Sequence, residues 1–211
     1  MPLSAWINIM DQVAGSMPWL SVTGGEPLLY PDFRPLVEAA KLRGFPIDLT
    51  TNGTMLENNA EFIVEQGIEW LFVSVDGPDF VHEEVRGVKG AFQRTMAGIR
   101  AVVEARERLN SISPVIILNF TLCKSNLAYI DQVVPMAIDL GVDLQQFVHP
   151  FHNTAENAEK HNRVFSPEFA RAHGLNMIAP SLPQGEYYEC VLQDEELNLI
   201  KKGFAAARKQ A

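Results

Sequence analysis

The sequence predicts an α/β fold built from parallel strand–helix units, and three observations predict it. Five short runs rich in Val, Ile, Leu and Phe alternate with amphipathic segments of helical period. Several of the helical segments close on a glycine (Gly44, Gly67, Gly141), the residue that best accepts the left-handed backbone at a helix C-terminus. Each strand-like run ends in glycine or polar residues, so one edge of the sheet collects the reactive groups. Such alternation implies parallel strands with right-handed crossovers. A doubly wound open sheet and a (β/α) barrel both fit, and in both the function lies at the C-terminal ends of the strands.

The elements follow in order. Residues 4–14 carry Trp6, Ile9, Met10 and Val13 at helical spacing, with Ser4 placed to cap the helix. The run Trp19 to Thr23 reads as a buried strand and stops at Gly24-Gly25. Asp32 is placed to cap a helix through Leu36, Val37, Ala40 and Leu42. Residues 46–51 form the next strand, ending at Asn52-Gly53, and residues 58–66 a short helix. Residues 70–75 form a strand ending at Asp76-Gly77. A long helix then spans 91–109, with Phe92, Met96, Ile99 and Val103 on one face. A strand over 114–122, a helix over 126–140 and a strand over 142–148 complete the alternation. Asn126 is placed to cap the helix it precedes. After His149 the pattern stops. Residues 151–165 are polar, Pro180 and Pro183 flank a loop, and a final helix spans 189–208 with Leu192, Leu197, Ile200 and Phe204 on its apolar side. The expected organisation is a core over residues 1–149 and a C-terminal extension over 150–211 packed on it.

Composition narrows the function. With 211 residues the chain can bury one sizeable core, and 47% apolar and 20% charged residues are ordinary for a globular protein. A net charge of −9 with no run of Lys and Arg argues against a nucleic-acid partner. Arg100, Arg106 and Arg108 alternate with Glu104 and Glu107, as on the solvated face of a helix. No stretch approaches the roughly 18 apolar residues that span a membrane, so no membrane association is expected. The start lacks a basic region followed by an apolar core. Cys123 and Cys190 are far apart and read as small core residues, which fits a reducing, cytoplasmic setting. His149, His152 and His161 are too loosely spaced for a metal site, and no metal ligands are assigned.

The string Thr23-Gly-Gly-Glu-Pro27 directly follows a strand. Gly24 and Gly25 let the backbone turn sharply and approach a ligand closely. Glu26 supplies a charge suited to an ammonium group, and Pro27 stiffens the exit. The string resembles the motif with which radical S-adenosylmethionine (radical SAM) enzymes hold the amino group of their cofactor's methionine part. The continuation Leu28-Leu29 with Asp32-Phe33 is also typical of that family. Residues 49–53 (Leu-Thr-Thr-Asn-Gly) resemble the end of the family's third strand. Residues 73–78 (Val-Ser-Val-Asp-Gly-Pro), followed by His82, Arg86-Gly87 and Gly90-Ala91-Phe92, resemble its fourth strand and the loop beyond. Residues 121–126 resemble the end of its fifth strand. The resemblance covers residues 2–149 and is nearest to the peptide-modifying and cofactor-maturing branch, whose members often carry an auxiliary-cluster (SPASM) domain.

The resemblance implies a partial (β/α) barrel, S-adenosylmethionine and a [4Fe-4S] cluster as cofactors, a small-molecule or peptide substrate, and an electron donor such as ferredoxin or flavodoxin. It implies that Gly24, Gly25, Glu26 and Pro27 cradle the methionine end and that Ser74 and Asp76 meet the ribose. Asn52 bonds cofactor or substrate, or serves only as half of an Asn-Gly turn. Arg86 sits near the methionine carboxylate, or pairs with Glu83 or Glu84. Ile117 and Asn119 are candidates for the adenine pocket. No catalytic residue is assigned.

One departure matters. The cluster needs three thiolates spaced CxxxCxxC after the first strand, and this sequence has no such triplet. It begins at what would be the first helix, so the first strand and cluster loop of the barrel are expected to be missing. The expectation is a truncated enzyme. The alternative is a degenerate barrel that binds or scaffolds without catalysis. A nucleotide-binding doubly wound domain is disfavoured, because no GxGxxG opens a helix. As written, the polypeptide is not expected to cleave S-adenosylmethionine reductively.

Overall fold

The computed structural model describes residues 1–16, 18–148, 159, 171–172 and 194–210. Five parallel strands form one sheet: β1 (Leu20–Val22), β2 (Ile47–Thr51), β3 (Trp70–Ser74), β4 (Val115–Thr121) and β5 (Leu144–Val148). Their spatial order is their chain order, β1-β2-β3-β4-β5. The helices whose bounds lie within the described residues are α1 (Leu3–Val13), α2 (Phe33–Leu42), α3 (Ala60–Glu65), α4 (Asp79–Arg86), α5 (Ala91–Arg108), α6 (Ile130–Asp139) and α7 (Asp194–Ala207).

The strand order decides between the two architectures. A doubly wound sheet must reverse its strand order at a switch point. A sequential parallel order with right-handed crossovers instead keeps every helix on the same face, as in a barrel wall. The side chains agree. Ile47, Leu49, Leu71, Val73, Ile116 and Leu118 are buried in one cluster with Val37, Ala40, Ile63, Met96, Ile99 and Val102 from the helices. A strand's side chains alternate between faces. Asp48, Thr50, Phe72, Ser74, Asn119 and Thr121 therefore project to the opposite face, away from the helices. Register puts them in rows: Thr50 stands beside Phe72, and Ser74 beside Asn119, itself beside Gln146.

Several local expectations change. α1 starts at Leu3 with Pro2 at its cap position, so Ser4 lies inside the helix and caps nothing. Asp32 occupies the cap position of α2, but its side chain makes no cap bond; its Oδ2 accepts from the Tyr30 hydroxyl instead, at 3.3 Å. The segments expected as single helices over 58–66 and 126–140 each open with a 3₁₀ turn, Glu57–Asn59 and Leu127–Tyr129. α4 has no counterpart in the sequence pattern. Its buried side is only Val81 and His82, too little apolar surface to show a helical period. On α7, Ile200 and Phe204 pack against Phe120, Leu127, Ile130 and Val133, while Leu197 is exposed rather than on the apolar side. Leu192, Cys190, the other residues of 189–193, His149, His152 and His161 lie outside the described residues.

Candidate functional site

Parallel strands end on the same edge, so the loops after β1, β2, β3 and β4 share one rim. The loop after β1 turns at Gly24, whose φ of +143° favours glycine. Gly24 and Gly25 are exposed, and nothing lies within 4 Å of a Cβ built on either. Their backbone is open to close approach by a ligand. Glu26 comes next, and its carboxylate is already engaged. Oε1 accepts from the Leu28 N–H (3.1 Å) and the Thr51 hydroxyl (2.7 Å), and Oε2 accepts from the Asn52 N–H (2.8 Å). Pro27 is buried in the 3₁₀ turn that Glu26 caps.

Asn52 follows β2. Its Oδ1 accepts from the Thr54 N–H (2.9 Å) and hydroxyl (2.7 Å), an Asx turn, and Gly53 has φ +83°. The turn role of Asn-Gly is thus filled, and the Asn52 carbonyl accepts from the Thr95 hydroxyl of α5 at 2.9 Å. Ser74 ends β3, half-buried, next to Asn119 in register. The Asn119 Oδ1 is buried and has no hydrogen-bond partner among the described residues. A buried acceptor left open is costly unless a ligand or water supplies the donor.

Asp76 sits deeper, 1% exposed. Its Oδ1 accepts from the Thr121 N–H (3.0 Å), and its Oδ2 lies 2.6 Å from Arg86 Nε, an ion pair whose N–H is not aligned as a hydrogen bond. Arg86 therefore meets Asp76 rather than Glu83 or Glu84. The Asp76 N–H donates to His82 Nδ1 at 3.2 Å. The Asp76 carbonyl accepts from Asn126 Nδ2 at 3.2 Å, which also donates to the Thr121 carbonyl at 2.8 Å. Asn126 Oδ1 accepts from the Cys123 N–H at 2.8 Å, so its side chain braces the preceding loop instead of capping a helix. Burial pushes the His82 imidazole below its usual 6.5, against the opposing pull of the Asp76 charge. The structure thus gathers Gly24, Gly25, Asn52 and Ser74 along the rim. Asp76 and Arg86 form a brace beneath it. Thr51 and Thr121, which complete these braces, fall within strings the sequence marks at strand ends but are not singled out there, since a threonine in a strand is unremarkable; Thr95, on α5, carries no sequence signal of its own.

A groove of about 330 Å³ between α5 and α6, lined by Phe92, Met96, Arg100, Pro135 and Met136, shares no residue with the rim. Among the described residues no three metal-ligating side chains cluster, and Cys123 is a free thiol.

Comparison with known proteins places the chain. The model of the radical SAM superfamily matches residues 12–124. The AdoMet-dependent heme synthase of Methanosarcina barkeri is 34% identical over 137 residues, covering 64% of this chain and 37% of that protein. The structure of anSMEcpe with bound AdoMet superposes with a TM-score of 0.65 at 15% identity, over 100% of this chain and 52% of the other. Streptococcus suis SuiB bound to its precursor peptide SuiA gives a TM-score of 0.60 at 16% identity, over 84% of this chain and 41% of SuiB. The chain spans less than half the length of the curated relatives it matches.

Proposed function

The chain belongs to the radical SAM superfamily, and from that premise we propose that it forms the S-adenosylmethionine-holding wall of an enzyme that makes a 5′-deoxyadenosyl radical and abstracts hydrogen from a substrate. The observation that carries this reading is the rim itself. It has open glycine backbone at Gly24 and Gly25 after β1 and, on β4, a buried acceptor at Asn119 that is unsatisfied among the described residues, with Ser74 on β3 between the two in strand order.

The residues present fit S-adenosylmethionine. The Gly24-Gly25 backbone offers polar atoms to the amino-acid end. The Ser74 hydroxyl can donate to or accept from a ribose hydroxyl. The Asn119 Oδ1, unpaired among the described residues, can take an N–H from the adenine edge, with Ile117 as an apolar wall. When bound, S-adenosylmethionine supplies an adenosyl group whose C5′–S bond is broken reductively. The fixed loops beneath the rim hold these groups in place, which limits the ordering cost of binding. The chain's own residues do not fit the [4Fe-4S] cluster. It needs three neighbouring thiolates, and this sequence has two distant cysteines. The cluster's ligands and the electron donor, of the ferredoxin or flavodoxin kind, come from outside these residues. The substrate is a peptide or a cofactor precursor. One relative is a heme synthase and one structural neighbour is bound to a precursor peptide.

The cysteine count also favours a second reading, a barrel that binds S-adenosylmethionine without cleaving it. One experiment separates the two. The chain is joined to an N-terminal strand and CxxxCxxC loop from a relative and reconstituted anaerobically with iron and sulfide. Production of 5′-deoxyadenosine on reduction supports the enzyme. Binding without cleavage supports the second reading, and no binding contradicts both.

A further inference from the structure

We propose that Glu26 is a positioning residue: its carboxylate locks the loop after β1 onto the loop after β2, and it acts on a bound cofactor through that lock, not as the counter-ion of an ammonium group. The part of this inference that concerns the cofactor rests on the S-adenosylmethionine reading above. The lock itself does not.

The backbone ladder explains why a lock is needed. β1 is three residues long and pairs with β2 only from Leu20 to Val22, ending opposite Leu49. Beyond that point no backbone hydrogen bond joins the two loops among the described residues. The Glu26 carboxylate spans the gap. It accepts from the Asn52 N–H and the Thr51 hydroxyl on one side and from the Leu28 N–H on its own side. An ionised carboxylate offers about four acceptor positions, and three are filled. Both positions on Oε1 are used.

The lock is anchored at both ends. Thr51 is 3% exposed, and its hydroxyl also accepts from the Gly53 N–H at 3.0 Å, so the carboxylate reaches the Asn52-Gly53 turn by two routes. Thr95 holds the Asn52 carbonyl from α5. On the other side Pro27 and Leu28 are buried, which fixes the residues just after Glu26. The next strand junction but one uses the same device, the Asp76 carboxylate accepting from the Thr121 N–H. What Glu26 holds still is the Gly24-Gly25 turn, whose glycines have no side chain to pack.

The test uses the full chain labelled with ¹⁵N. Amide exchange is measured without ligand, and S-adenosylmethionine is then titrated while amide shifts are followed. The variants are Glu26→Ala, Thr51→Val, Thr51→Ser and the double variant Glu26→Ala with Thr51→Val. In Glu26→Ala, exchange at Leu28 and Asn52 should speed up about tenfold or more, the factor that ~1.4 kcal/mol corresponds to, with Leu118 in β4 unchanged. Glu26→Ala and Thr51→Val should each weaken the response of Gly24 and Gly25 to S-adenosylmethionine. The double variant should be little worse than Glu26→Ala, and Thr51→Ser should keep the wild-type response. Lost ligand response with Leu28 and Asn52 still protected would overturn the proposal, as would fully additive losses. A wild-type chain that ignores S-adenosylmethionine both alone and when joined to the N-terminal strand and CxxxCxxC loop would refute the functional reading, and the exchange rates would still decide the lock.

Discussion

Asp76 and Arg86 lie ten positions apart in sequence and meet because α4 folds back under the end of β3. Removing the carboxylate leaves the Arg86 guanidinium and the Thr121 N–H without it. Breaking one side of such a buried pair costs about 3–5 kcal/mol, and the low end applies because Arg86 is 32% exposed. Asp76→Ala should therefore lower unfolding stability by about 3 kcal/mol in a denaturant titration, against under ~0.5 for Glu107→Ala on the exposed face of α5. A loss below ~1 kcal/mol would contradict the brace. His82 adds a pH dependence. Burial holds the pKa of its imidazole below the usual range in the fold, where Nδ1 accepts the Asp76 N–H, while the unfolded chain takes up a proton below about 6.5. The unfolded state then binds more protons, so stability falls as pH drops from about 6.5 toward the lower folded value, with a slope of at most ~1.4 kcal/mol per unit. Between pH 7 and pH 5, wild type should lose more stability than His82→Gln. Equal losses would remove His82 as the cause. At this scale the sequence shows which residues cluster but not what they do for one another. Asp76 and Arg86 both stand in a recognisable string, yet their pairing depends on a helix whose buried side is a valine and a histidine.

Elements with a long apolar period are legible, and those held by close approach are not. α5 shows its face in the sequence through Phe92, Met96, Ile99 and Val103; Met96 and Ile99 are buried, Phe92 and Val103 are half-buried at its edge, and Val102 completes the buried side. What fixes α5 against the β2 loop is Gly98, where an added Cβ would come within 2.6 Å of Leu56 Cβ and 2.8 Å of the Gly53 carbonyl oxygen. In an open helix Gly→Ala gains about 1 kcal/mol. Here Gly98→Ala should destabilise by about 1–3 kcal/mol, because backbone must shift. A stabilised variant in thermal unfolding would show that the contact yields. β1 presents the opposite case, an element under-paired among the described residues. Its outer edge has no strand beside it there, and Trp19 next to it is 50% exposed. Open edges invite association. Sedimentation should show concentration-dependent association of the chain. A clean monomer at all concentrations would count against a free edge.

For the molecule as a whole, strand–helix alternation leaves the architecture open between barrel wall and doubly wound sheet. The sequential strand order decides it, and strand order is a tertiary fact that periodicity alone does not encode. The rim was legible because Gly-Gly-Glu-Pro, Asn-Gly and Ser-Val-Asp-Gly all fall at strand ends. That Glu26 and Asp76 use their charges inside the protein was not, since a carboxylate at a strand end looks the same whether it faces a ligand or a neighbouring loop. Reconstituted alone with iron and sulfide, the chain should not hold a stoichiometric [4Fe-4S] cluster. A stable cluster spectrum with about four irons per chain, lost on mutating Cys123 or Cys190, would overturn that.

The central claim is that one pocket at the strand ends takes S-adenosylmethionine. Calorimetry on the chain joined to a cluster-bearing N-terminal strand tests it most directly, comparing Glu26→Ala, Ser74→Ala and Glu107→Ala. Loss of the Glu26 lock should weaken binding about 10- to 150-fold, matching ~1.5–3 kcal/mol for a charge-assisted hydrogen bond. Loss of the neutral Ser74 contact should weaken it about 2- to 10-fold. Glu107→Ala should bind as wild type. Equal affinities for all three variants would contradict the assignment of the pocket.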